Sequence, residues 1–219
     1  DELPQSAAGR TIMTTEPKFI PEEAVCVELP DNASLNVRLI DCVGYIVPSA
    51  LGYIEEDKPR MVKTPWFDHE IPFTYAAEIG TRKVIRDHST IGIVITGDGS
   101  FGELGRNDYA DAEARIIREL KEIGKPFIVL LNSVKPFGEE AKEMAGNMEE
   151  LYGVTVQPVN CEQLKESDVK MILMNVLKEF PVQKLDFYIP KWMEILPDEH
   201  PLKMTAIEHA RNILTNVDQ

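Results

Sequence analysis

Between residues 91 and 180 the chain alternates short, wholly apolar runs with amphipathic stretches, and this restricts its fold more than any other feature. Residues 91–96 (I-G-I-V-I-T) and 127–131 (F-I-V-L-L) are apolar throughout, as strands are when both faces are covered. Residues 108–123 repeat Tyr109, Ala112, Ile116, Leu120 and Ile123 at helical spacing, and Gly124 and Pro126 stop that helix. Residues 139–152 form a second helix with Ala141, Met144, Ala145, Met148 and Leu151 inward and Gly153 as its cap. Residues 155–159 read as a strand. Ser167 caps a helix to Phe180, with Val169, Ile172, Leu173, Val176, Leu177 and Phe180 as its stripe. Strands alternating with helices give an α/β fold, a three-layer and mostly parallel sheet.

Upstream, residues 24–29 and 35–41 flank a P-D-N turn and predict an antiparallel hairpin. It supplies one antiparallel edge strand to the sheet. Residues 1–23 read as loop. Residues 45–72 read as a long loop, docked by its aromatic end rather than disordered. Residues 74–85 read as a helix interrupted by Gly80. After Pro181 the character changes, with F-Y-I-P-K-W ahead of a helix over 201–215. The expected organisation is one domain over 1–181 and the start of a following middle domain over 182–219. The first residues, D-E-L-P-Q-S-A-A-G, resemble the interior of a longer protein.

Charge narrows the function. The 219 residues carry a net charge of −14, which repels nucleic acid phosphates and anionic lipid. Cys26, Cys42 and Cys161 lie in apolar-looking segments and read as reduced core thiols. No stretch approaches the ~18 apolar residues of a membrane span.

The hairpin's second strand runs into Asp41-Cys42-Val43-Gly44. In P-loop nucleotidases an aspartate at a strand end lies close to bound Mg²⁺. A glycine three residues on lets its backbone N–H approach the terminal phosphate. Strand–Asp–loop–Gly also arises by chance, so this motif needs support. Thr11–Thr15 precedes the first strand, where a switch threonine reaches Mg²⁺ in translation-factor-type GTPases; an ordinary polar loop is the alternative. Asn132-Ser133-Val134-Lys135 falls where a guanine-specific enzyme carries N-K-x-D. The asparagine matches, but Lys135 puts a donor where guanine needs an acceptor. The alternative is a strand end closed by an asparagine turn. Tyr45 stands where GTPases keep a polar residue to orient water, and otherwise reads as a packing aromatic. Asp68-His69-Glu70 could suggest a metal or acid–base cluster, but the histidines have no ligand spacing and it reads as solvated or packing; Asp98 reads as a turn residue. G-x-x-x-x-G-K-[ST], the phosphate-cradling loop, occurs nowhere in the chain and is expected upstream of Asp1.

Several long segments carry a resemblance: P-Q-S-A-A-G-R-T-I-M-T-T-E-P-K-F-I-P, D-C-V-G-Y, T-P-W-F-D-H-E-I-P-F, E-I-G-T-R-K-V-I-R-D-H-S-T-I-G and L-L-N-S-V-K-P. Together they resemble stage IV sporulation protein A, a family of morphogenetic ATPases of the endospore coat. The resemblance implies a translation-factor-related P-loop fold that hydrolyses ATP, with Mg²⁺, rather than GTP. It implies self-assembly into the coat's basement layer, contact with other coat proteins, and no nucleic acid partner. A small amphipathic membrane-bound peptide would recruit the protein from the mother-cell cytoplasm to the outer forespore membrane. By motif, Asp41 and Gly44 belong to the catalytic site, Thr14 and Thr15 are the sensor threonines, and Thr15 and Asp41 attend the metal. Asn132, Ser133 and Lys135 face the base. Two other readings stay open: a structural module whose site no longer turns over, and a GTPase with unusual base recognition.

Overall fold

The computed structural model describes residues 19–217, apart from 31–32, 43, 48–53, 56–57, 65, 103 and 182–184. The chain divides into two compact units, Asp1–Glu179 and Phe180–Gln219.

The parallel sheet of the first unit has three strands: β7 (Gly92–Gly97), β8 (Phe127–Asn132) and β9 (Val156–Val159), in that order. Gly92 pairs with Phe127 and Gly97 with Asn132, so β7 and β8 run in register. Both faces of β8 are covered. Phe127, Val129 and Leu131 pack with Ile117 and Leu120 of α2 (Arg106–Ile123) and Ala145 and Met148 of α3 (Glu139–Tyr152). Ile128 and Leu130 meet Ile172 and Val176 of α4 (Glu166–Lys178) on the other face. Side chains alternate across a strand, so an unbroken apolar run is what two helical layers require. The α/β class and the layered parallel sheet expected from the sequence are present.

Other expectations need correction. The hairpin, β1 (Phe19–Glu28) with β2 (Ser34–Ile40), forms a separate two-stranded sheet rather than an edge of the parallel one. Strand β7 is not buried on both faces. Ile93 and Ile95 are exposed, because α4 packs on β8 and β9 and leaves that face of β7 bare. The long loop is instead two small hairpins: β3 (Ile54–Glu55) with β4 (Lys58–Pro59), and β5 (Met61–Thr64) with β6 (Phe67–Pro72). Val62 and Thr64 alternate inward on β5, a two-residue period too short to stand out among prolines. Their partner core is Ile71, Phe73 and Ala76, the last two from α1 (Phe73–Lys83). A π-type turn over Val84–His88 continues α1, and the Lys125 ammonium donates to the Ile85, Arg86 and Ser89 carbonyls that this turn leaves open.

At finer scale, Leu151, Val169 and Phe180 point outward, so three expected stripe positions are exposed. The start of α4 is held by Asp168, whose carboxylate accepts the Lys165 N–H at 2.9 Å, not by Ser167. Cys26 is exposed on β1, since nothing described covers that strand face; Cys42 and Cys161 are half-buried. Among the described residues of the second unit are α5 (Lys191–Glu194) and α6 (Pro201–Val217). No helix among the described residues is long and apolar enough to cross a membrane.

Candidate functional site

Strand β2 ends at Ile40, which delivers Asp41 to the surface. Among the described residues its carboxylate takes no hydrogen bond or ion pair. Gly44 adopts φ +78°, and a Cβ built on it would meet no atom within 4 Å. The glycine is there for its backbone conformation, and the space beside it is open. Its N–H donates to Oγ1 of Thr81 at 3.0 Å, and the same hydroxyl donates to the Gly44 carbonyl at 3.2 Å. Thr81 lies on α1 and is buried. Burial pushes the neighbouring Cys42 thiol up, against hydrogen bonds from the Gly44 backbone and Thr81.

Tyr45 is held by side chains of α2. Its hydroxyl donates to the Glu119 carboxylate, and the Arg115 guanidinium sits 4.6 Å above its ring. Arg115 forms a two-pronged pair with Glu78 at 2.7 and 2.8 Å, and Arg82 reaches Glu119 at 3.4 Å. Burial raises the tyrosine's pKa, and Glu119 raises it further. For Glu119, burial works upward, but the Tyr45 hydroxyl and Arg82 hold it below the usual range. The packing-aromatic alternative describes Tyr45 better than the water-orienting one. It fastens the Asp41 loop to α1 and α2.

A second cluster closes the ends of the parallel strands. The Asp98 N–H donates to the Asn132 carbonyl at 3.1 Å, and its carboxylate accepts the Ser100 N–H at 2.8 Å and the Ser100 hydroxyl. Burial alone would raise Asp98; the Ser100 and Ser133 hydroxyls lower it instead. Asn132 Oδ1 accepts the Cys161 N–H at 2.9 Å, and buried Ser133 accepts the Lys135 N–H at 3.1 Å. Asn160 adds a contact to the Val134 carbonyl at 3.4 Å. Asn132 thus ties β8 to the loop after β9. Its free amide NH₂ and the exposed Lys135 ammonium are both donors. Asp98, more than a turn residue, is the hub of this closure.

Beside it, Glu113 is 3% exposed on α2 and takes both prongs of Arg106 at 2.7 Å. The Tyr152 hydroxyl donates to it at 2.9 Å. Burial would raise Glu113, but hydrogen bonds from Arg106 and its neighbours prevail and lower it. Neither the pair nor Thr81 stood out in the sequence, because a carboxylate on an apolar stripe and a threonine inside a helix look ordinary until partners are known.

Arg106 opens α2 beside β7, whereas the Tyr45 clamp holds Arg115 and Glu119, roughly 14–20 Å further along the helix axis. Thr14 and Thr15 lie outside the described residues. Asp68, His69 and Glu70 are exposed on β6, and no group of three potential metal ligands is found among the described residues.

A layered parallel α/β sheet, with an Asp-x-x-Gly loop anchored to its flanking helices, fits a P-loop NTPase-like domain. The chain belongs to the stage IV sporulation protein A family: residues 1–181 match the model for "Stage IV sporulation protein A, ATPase domain". Relatives named stage IV sporulation protein A are 50% identical in Bacillus subtilis (strain 168), 49% in Bacillus anthracis and 45% in Clostridioides difficile (strain 630). Each match covers 99% of this chain and 44% of the relative, so the chain spans less than half the length of these proteins. No solved structure matches significantly.

Proposed function

We propose that residues 1–181 of this chain belong to an ATP-hydrolysing domain of the translation-factor-related P-loop type. The observation that carries this is the Asp41–Gly44 loop: an unengaged carboxylate beside an open-faced glycine, in a chain that matches an ATPase-domain model. Those two features suit a metal-bound phosphate, because the metal needs an oxygen donor and a glycine sets no Cβ in the way of the phosphate. Asp41, with Thr15, would hold Mg²⁺, and Thr14 or Thr15 would sense the terminal phosphate. Bound Mg²⁺ supplies charge neutralisation on the phosphates. Asn132 and Lys135 would present donors to the base, which favours ATP over GTP, with Ser133 shaping their loop.

In the whole protein, hydrolysis would drive self-assembly into the basement layer of the endospore coat. A small amphipathic membrane-bound peptide would recruit it to the outer forespore membrane from the mother-cell side, and other coat proteins would bind the assembled layer. A catalytically silent scaffold is the second reading, favoured by the withdrawal of Tyr45 into the α1–α2 clamp.

Phosphate release by the full-length protein with Mg²⁺ and ATP decides between them. Asp41→Ala should cut kcat by at least about 100-fold, the scale of losing one preorganised charge-stabilising group. Its melting temperature should barely move, since Asp41 is on the surface. Undiminished turnover in the variant would remove Asp41 from the site, and a wild-type protein that holds ATP without cleaving it supports the scaffold.

A further inference from the structure

The Gly44 amide is the group that must meet a terminal phosphate, and here it is already taken. Thr81 Oγ1 accepts it at 3.0 Å and returns a bond to the Gly44 carbonyl at 3.2 Å. One hydroxyl therefore occupies both backbone groups of the glycine. Its surroundings confine it, because Thr81 is 2% exposed. A Cβ built on Gly44 would meet no atom within 4 Å. An incoming phosphate oxygen can take the N–H only by displacing the hydroxyl.

We infer that Thr81 is a positioning residue that holds the Asp41–Gly44 loop and competes with the terminal phosphate for the Gly44 N–H. This rests on the nucleotide reading of the loop given above. Thr81 touches no nucleotide itself; it acts through Gly44. Losing that bond frees α1 from the loop at one polar fastening, while the Tyr45–Glu119–Arg115 clamp is another. Helix α1 thereby becomes the element that registers whether a terminal phosphate is present. A neutral hydrogen bond contributes little net free energy, so the exchange is a modest bias rather than a barrier.

The test uses full-length protein, a non-hydrolysable ATP analogue with Mg²⁺, and ADP as control. Thr81→Val keeps the buried volume and removes the competitor. It should bind the analogue roughly 2- to 10-fold more tightly, the range set by one net hydrogen bond. ADP, which lacks the terminal phosphate, should bind as to wild type. Thr81→Ser restores the hydroxyl and should restore the wild-type ratio of analogue to ADP affinity. A purely packing role would shift both nucleotides together, and that result overturns the proposal.

Hydrogen exchange separates this failure from that of the underlying reading. Without nucleotide, the peptide spanning residues 41–46 should exchange faster in Thr81→Val than in wild type. Unchanged exchange there overturns the Thr81 assignment while leaving nucleotide binding intact. Wild-type protein that binds neither nucleotide overturns the functional reading, and the competition with it, even if the exchange difference is seen.

Discussion

Strand β8 and the loop after β2 hold their places by opposite means. From Phe127 to Leu131 every residue of β8 is buried, with helices packed on both faces. The Asp41 loop follows a hairpin on which Val25 and Leu39 are more than half exposed. Among the described residues its fastenings are mainly polar, Thr81 on Gly44 and Glu119 with Arg115 on Tyr45, with Ile46 packed at the edge of the Val62–Phe73 cluster. Apolar burial stabilises in proportion to area and has no direction, so it makes a rigid base. Directional polar contacts can be exchanged one at a time, and segments held this way occupy the low-stability end of a protein, from which moving elements are drawn. A loop that responds to a phosphate, as proposed for this one, belongs in the second class.

The largest expected effect tests the base. Leu131 is fully buried against the α2–α3 layer. Leu131→Ala should lower stability by about 2–5 kcal/mol, the cost of lost transfer energy plus a cavity. Thermal or urea unfolding measures it. A loss under about 1 kcal/mol would show a sheet core far looser than its packing, and the contrast between the two regions would fail.

A smaller effect comes from the Arg106–Glu113 pair set into that base. Removing one member of a fully buried pair costs about 3–5 kcal/mol. The Arg106 side chain is 23% exposed and can recover some water, so Glu113→Gln should cost about 2 kcal/mol. The pair also predicts a pH dependence. Glu113 titrates below its ordinary value, so it stabilises the fold above the unfolded carboxylate pKa of about 4.3. That contribution is lost as pH falls through the lower folded value. Glu113→Gln should therefore flatten the acid side of a stability-against-pH curve while lying below wild type at pH 7. Parallel curves for the two proteins would remove Glu113 as an acid-sensitive tie.

The same contrast explains what could be read from sequence. The base was legible because burial writes itself into composition: a strand such as β8 must be apolar throughout, and α3 must repeat Ala141, Ala145 and Met148. The Asp41–Gly44 loop was legible as a motif. Its setting was not. Thr81, Glu78, Arg115 and Glu119 are ordinary helix residues whose meaning lies in partners 37 or more positions away, and no local pattern encodes such pairs. The exposure of Ile93 and Ile95 was hidden for a related reason, since an apolar run cannot say which of its faces a helix reaches.

The smallest effect sharpens the comparison most. Tyr45→Phe keeps the ring under Arg115 and removes only the hydroxyl that donates to Glu119. Hydrogen bonds to charged groups are worth about 1.5–3 kcal/mol when well buried. Glu119 keeps Arg82 and Arg115 as partners and some contact with water, so the loss should be about 1 kcal/mol. It should also be local. Amides in the peptides covering residues 41–47 and 73–83 should exchange faster, while those of β8 keep wild-type protection. That pattern requires the loop and its helix to open without the sheet. If instead β8 loses protection in step with the loop, the two regions unfold as one unit, and the loop's polar fastenings are part of the base rather than a releasable attachment to it.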